Sequence, residues 1–434
     1  MNRMNHAGRS CLRWLAVAGA TTAVASAQMD QEKEPTVKSE IKATPDVLAA
    51  PAEGTYFEQG NFFQALDRYL GDGTLDADFG IAGNYNDEGG TDTSLVWGYA
   101  EAGYTTPSFN GLDFGGSLIF AQQIAQHNKG YSNAFEKDAA LQSLFARYTF
   151  PESEATILGG RKKFNKTAIT DGDSHEGMEV STGSLIPNLE VSGAWVGRWV
   201  NNSTISNDGD GIEDWQKVNT ASDGEAGNAA FWGQATLNLD LLNSSSVTPF
   251  LQYQKKVGTG VGAEAEVAAA LGETDLILGG TYAYFDNDIP NSVNPNLESA
   301  SQFIVTATLD FGRTYLTGGY WGQENKDADI SEGIFDTFDP GELGDLAGRS
   351  AEIPFVEAGI GLTDTINLSG MVLYADNSHL NQKSWEFDVY LEWSLSENLS
   401  LEGYYAYIDF DKSTANGESY KDYGQGGASL NYSF

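Results

Sequence analysis

The chain has 434 residues and a formal net charge of −37, from 61 Asp and Glu against 24 Lys and Arg. Such a surface repels nucleic acid and anionic membrane faces. Its 22 Phe, 20 Tyr and 9 Trp exclude a disordered acidic protein, and its single cysteine, Cys11, excludes a disulfide scaffold.

Residues 1–27 place Arg3, Arg9 and Arg13 before an apolar run from Leu15 to Val24 and then "ASA". That is the charged, apolar and small-residue order of a cleaved secretory signal, and its apolar run is too short to span a bilayer. Removing it takes away Cys11 and three positive charges. Residues 28–58 are charged and proline-bearing without periodicity, which predicts a disordered periplasmic lead. In "NFFQALDRYL", Phe62, Phe63, Leu66, Tyr69 and Leu70 recur at helical spacing, consistent with a short helix that is too small to be a plug.

From Thr74 onward the period is two. Leu75, Ala77, Phe79 and Ile81 share one face, as do Leu112, Phe114, Leu118 and Phe120. The clearest segment sets Trp385, Phe387, Val389, Leu391, Trp393 and Leu395 against Ser384, Glu386, Asp388, Tyr390, Glu392 and Ser394. Connections alternate between short ("TPSFNG", "PES", "NSSS", "GET", "TDT", "SEN") and long. The long ones are 123–137, 164–175, 201–226, 287–298, 325–349 and 412–422. A β-sandwich has no reason to keep that rhythm, whereas a membrane barrel with short periplasmic turns and long extracellular loops does. The mean hydropathy of −0.33 agrees, because only one face of each strand meets lipid.

The segments number about eighteen, which predicts an all-β, antiparallel, closed transmembrane barrel over 59–434. The least distinct segments are 176–184 and 260–271. Closure follows from the cost of unpaired backbone groups in lipid, several kcal/mol each, so the last strand must pair with the first. The terminal "SLNYSF" supplies that strand, with Leu430, Tyr432 and Phe434 on the lipid face. A terminal aromatic strand also resembles the signal that hands such chains to the barrel-insertion machinery.

The stretches "LQSLFARYTFPESEATILGGRKKF", "DGDSHEGMEV" and "SLIPNLEVSGAWVGRW", within 141–199, resemble the OprD-type porins of Gram-negative bacteria. Those share a strand, a tight turn, a strand ending near Gly-Arg, an acidic constriction loop and a strand opening on Pro-Asn-Leu. The resemblance implies an eighteen-stranded diffusion channel of the outer membrane. At "GRKKF" the chain departs from the family, which more often shows Gly-Arg-Gln.

No catalytic set is present, and the chain reads as a non-enzyme. His127, His175 and His379 fall in predicted loops with no nucleophile beside them, and no metalloprotease or phosphate-loop motif occurs. In "SNDGDGIEDW", Asp208, Asp210 and Asp214 echo a calcium loop, although Ser206 stands first and the twelfth-position Glu is missing. Calcium in 201–226 therefore competes with a solvated acidic loop, and no other cofactor is expected.

For the lumen, Arg147, Arg161, Lys163 and Arg198 fall on segments four, five and seven. Glu357, Glu386, Asp388, Glu392 and Glu402 fall on segments fourteen, sixteen and seventeen. Around a ring of eighteen these groups oppose each other and set up a transverse field. In segment five either Ile157 or Leu158 could face lipid. A mid-membrane cation there costs about 2–4 kcal/mol, so Arg161 is expected inward unless it lies near an interface. The resulting expectation is an outer-membrane porin for small hydrophilic solutes with weak cation preference. The alternatives are a non-porin barrel, either a surface scaffold or a barrel enzyme, and a soluble secreted β-protein. Expected partners are outer-membrane lipid and lipopolysaccharide, the insertion machinery and small hydrophilic solutes, with a homotrimer open as an assembly.

Overall fold

The structure is a computed structural model. It describes residues 73–88, 92–127, 139–170, 174–200, 216–217, 230–239, 244–255, 257–287, 299–324, 351–377, 382–411, 414–415, 418–419 and 422–433. The expected signal peptide (1–27), the expected lead (28–58), the stretch 61–70 read as helical, His379, Asp208, Asp210, Asp214 and Phe434 lie outside the described residues.

Eighteen antiparallel strands form the wall. They are β1 (Thr74–Glu88), β2 (Asp92–Thr105), β3 (Leu112–His127), β4 (Ala139–Thr149), β5 (Thr156–Lys162), β6 (Ser174–Ile186), β7 (Leu189–Val200), β8 (Ala230–Leu239) and β9 (Ser244–Gln254). They continue as β10 (Gly258–Leu271), β11 (Thr274–Asn287), β12 (Ala300–Asp310), β13 (Thr314–Glu324), β14 (Ala351–Gly361), β15 (Ile366–Asn377), β16 (Gln382–Ser396), β17 (Leu399–Phe410) and β18 (Tyr423–Ser433). Each pairs with its chain neighbour. The first and last also pair, from Asp78↔Ser433 to Glu88↔Tyr423, so the sheet has no open edge. The Phe79 and Tyr432 rings stack across that seam at 5.8 Å. The two indistinct segments, 176–184 and 260–271, are both strands, β6 and β10.

Alternation sets the outer face. Trp385, Phe387, Val389 and Trp393 are all exposed on β16, where a soluble protein would bury them. Two aromatic levels bound this surface. Tyr85, Trp195, Phe231, Tyr253, Tyr284 and Trp385 lie toward the end that carries the long connections. Phe114, Tyr148, Phe150, Trp393 and Tyr432 lie toward the end with short turns. Trp385 and Trp393 are eight residues apart, roughly 20 Å along the barrel axis at the usual strand rise and tilt. That is close to the height of an apolar membrane band.

Two expectations about loops are corrected. Residues 123–127 belong to β3, which runs to His127. Connections at the loop end are not uniformly long, since 89–91, 255–257 and 378–381 are as short as turns. The inner face also departs from a uniformly wet lining. Ile304, Trp321, Ile353, Phe355, Met371, Leu373 and Ile408 point inward and form a buried apolar cluster. A second inward cluster joins Ala82, Leu95, Trp97 and Ile119.

Candidate functional site: the lumen and its inserted segment

The strand β5 is short, only seven residues. Within it Gly160 has φ of 125°, a conformation open to glycine. A Cβ there would collide with the Leu144 carbonyl oxygen. The backbones of β4 and β5 approach too closely there for any side chain. Gly160→Val is expected to destabilise the barrel by roughly 1–3 kcal/mol, read as a lower urea midpoint for loss of the heat-modifiable form.

Residues 163–170 then enter the lumen. Phe164 packs into a buried cluster with Phe145, Leu158, Val196, Trp199 and Trp232. Asn165 holds Glu179 twice: its backbone N–H donates to Oε2 at 3.1 Å and its side-chain amide to Oε1 at 2.9 Å. Thr170 Oγ1 donates to Gln252 Oε1 on β9 at 2.6 Å, and the Thr167 hydroxyl lies 2.7 Å from that of Thr170. Ile169 is fully buried among Phe250, Val257, Ala283, Phe285 and Ala300, which belong to β9, β11, β12 and the connection after β9. From β5 to β11 is six strand spacings, roughly 29 Å along the wall. Eight residues reach at most roughly 28 Å, so the segment runs inside the curve of the wall as a chord.

The register assigns each sequence-derived site residue to a face, because directly opposed residues share one. Arg147 is inward, opposite Leu158, and its Nε donates to Asp113 Oδ2 at 3.0 Å. Arg161 is a correction. It lies opposite Leu144, whose side chain is 59% exposed on the outer face, and opposite Glu176 on β6. Arg161 Nη2 donates to Glu176 Oε2 at 2.8 Å. Arg198 is corrected the same way. It pairs with Glu176, while its neighbour Trp199 packs inward. A bulge between Glu176 and Gly177 resets the alternation there, and bulges do shift which side chain faces which way. Both arginines lie one row beyond the exposed Met178–Trp195–Phe231–Tyr253 row, toward the loop end. They therefore avoid the cost of a mid-membrane cation.

The inward cation of β5 is Lys162, which the sequence reading passed over. Its ammonium sits 4.2 Å from the Phe145 ring centre. Lys163 is exposed on the inserted segment.

The carboxylates keep their inward face. Glu357 accepts a hydrogen bond from the Tyr315 hydroxyl at 2.5 Å. Glu392 and Glu402 face each other across β16 and β17, and Asn367 and Asn431 donate to them at 3.3 and 3.4 Å. Glu386 and Asp388 are 0% and 2% exposed, so they are closed off from open water rather than bathed by it. Leu373 and Ile408 flank Glu386 in the register. Asp78, Glu101 and Glu264, not singled out in the sequence, also fall on the inner face. Against these acids, Arg147 and Lys162 are the inward strand cations among the described residues.

His175 is not a loop residue. It is fully buried on β6, its ring 5.9 Å from that of Phe164. His127 ends β3 in an exposed position. Among the described residues no group of three or more His, Cys, Asp or Glu could hold a metal. Leu430 and Tyr432 are exposed on the outer face of the closing strand.

A closed eighteen-stranded barrel with a chain segment crossing its lumen is the architecture of an outer-membrane channel. Comparison with solved structures places particular channels beside it. Pseudomonas aeruginosa OpdO matches with a TM-score of 0.66 at 14% identity, over 85% of this chain and 99% of that one. Acinetobacter baumannii OccAB1 matches at 0.64 and 14%, over 84% and 97%, and P. aeruginosa OpdQ at 0.64 and 11%, over 84% and 99%. These neighbours are outer-membrane porins of the OprD family, so the fold agrees with the resemblance seen in the sequence. No family model and no curated protein matches the chain in sequence.

Proposed function

We propose that the chain is a cation-preferring outer-membrane porin, passing small hydrophilic solutes without energy input. Its short turns face the periplasm and its long connections face outside. The observation that carries this reading is the segment 163–170, anchored on both sides of a lumen whose inward charged side chains, among the described residues, are mostly acidic. Cations are favoured in such a lumen because charges in a narrow, partly desolvated passage are screened less than those on exposed loops. The preference is stronger than the sequence suggests, since Arg161 and Arg198 face outward and leave the acids less opposed. No enzymatic role is assigned.

Planar-bilayer recording tests this. Discrete conductance steps are expected, and in a salt gradient the dilute side should turn positive. The potential should shrink as salt rises, because the screening length falls from about 10 Å at 0.1 M to about 3 Å at 1 M. Lys162→Glu should raise cation preference further, whereas Arg161→Glu should leave it nearly unchanged. A folded barrel that gives no steps would be a surface scaffold instead.

A further inference from the structure

The outer face carries a basic row that channel function does not use. Leu144, Arg161, Glu176 and Arg198 lie opposite one another across β4 to β7. The two-residue strand Gln216–Lys217 pairs its backbone with β7 at Arg198 and Trp199. Lys255 follows at the end of β9, exposed. In a chain of net charge −37, this sector of the rim sets Arg161 and Arg198 on Glu176, the one carboxylate that an ion pair joins to them among the described residues. Arg161 is engaged by Glu176 at 2.8 Å and by the Leu141 carbonyl at 3.2 Å. Arg198 reaches Glu176 only at 3.9 Å, beyond hydrogen-bond distance, with its side chain 44% exposed.

Height decides what this row meets. It lies one register step outside Met178, Trp195, Phe231 and Tyr253, which are 37–49% exposed. Exposed aromatic rows mark the boundary between acyl chains and headgroups. The arginines are therefore at headgroup depth, on the loop side, where planar guanidinium donors match phosphate oxygens.

We propose that Arg161 and Arg198, which share Glu176 as counter-ion until a stronger anion displaces it, form a binding site for the phosphate groups of an outer-leaflet lipopolysaccharide molecule. The site is annular, and the neighbouring aromatic row packs on the acyl chains of the same lipid. The acidic chain elsewhere repels such a lipid, so contact concentrates on this sector. The proposal rests on the outer-membrane reading above and makes no use of the channel.

The test uses the full chain, folded in detergent micelles, with lipopolysaccharide as the probe and thermophoresis as the readout. Three probes are compared: lipopolysaccharide with its lipid A phosphates, the same material dephosphorylated, and inorganic phosphate. Wild type should prefer the phosphorylated form. Arg161→Gln with Arg198→Gln should weaken that binding roughly tenfold or more. Lys383→Gln, which alters an exposed lysine paired with Asp376 at 3.5 Å on another sector, should change nothing. Glu176→Gln removes the competing carboxylate and should tighten binding. If the double variant does not fold, Glu176→Gln carries the test, and unchanged or weaker binding overturns the site. Equal binding of the dephosphorylated form, or wild-type binding by a folded double variant, overturns it too. So does inorganic phosphate binding as tightly as the lipid. Binding is read without conductance, so this site can fail while the porin stands, and the reverse.

Discussion

Val389→Arg should prevent folding into bilayers, while Glu392→Arg should leave folding intact. Val389 is 49% exposed at the middle of the outer face of β16, and Glu392 is three residues away on the inner face. An arginine on the lipid face near the midplane costs about 2–4 kcal/mol, a large share of the roughly 5–15 kcal/mol by which proteins are stable. At 392 the arginine instead faces Glu402 across the strand pair and meets water. Heat-modifiable mobility after refolding into vesicles separates the two. Comparable loss in both variants would mean that the faces are misassigned and that β16 is not a membrane-spanning strand.

Replacing Phe164–Thr170 with a Gly-Ser stretch of equal length should raise single-channel conductance severalfold. Three anchors are lost at once: Phe164 in its apolar cluster, Asn165 on Glu179, and Ile169 with Thr170 on the far wall. A Gly-Ser stretch behaves as a flexible coil and has no side chains with which to hold the chord. Ile169→Asp is the milder form. It places a carboxylate in a fully buried apolar cluster and should release only the far anchor, seen as increased current noise with a smaller rise in conductance. Unchanged conductance in the Gly-Ser variant would show that 163–170 does not narrow the path. The cation preference should fall in the same variant, because a wider lumen lets more salt in to screen Glu101, Glu357 and Glu402.

Lipid is a uniform neighbour, and it imposes one rule on every strand that touches it. Apolar side chains must recur at every second position, and the backbone must close on itself. For this reason Trp385, Phe387, Val389 and Trp393 declared their face from spacing alone. So did Phe79 and Tyr432, which meet across the seam. The number of wall strands, the short-turn end and the pairing of last strand with first were all legible.

The inner face has no uniform neighbour. It packs against other parts of the same chain, and what Ile169 or Phe164 will touch is set by residues far away, such as Phe285 and Trp232. The family resemblance implied a constriction loop after "GRKKF", but nothing in "KFNKTAIT" says which walls it will touch. The inward apolar clusters were hidden for the same reason. The parity of the basic residues failed more locally. The bulge opposite Glu176 and Gly177 leaves Gly197 without a register partner and breaks the period of two on β7. On β5 the alternation runs unbroken, with Ile157 and Arg161 outward and Leu158 and Lys162 inward, but spacing alone left open which of Ile157 and Leu158 meets lipid. His175 looked like a loop residue because β6 begins earlier than its pattern of alternation does. The sequence by itself determined the barrel and its lipid face, because the membrane enforces those on every strand. The tertiary structure decided the lumen, because its lining depends on bulges and on contacts between residues distant in the chain.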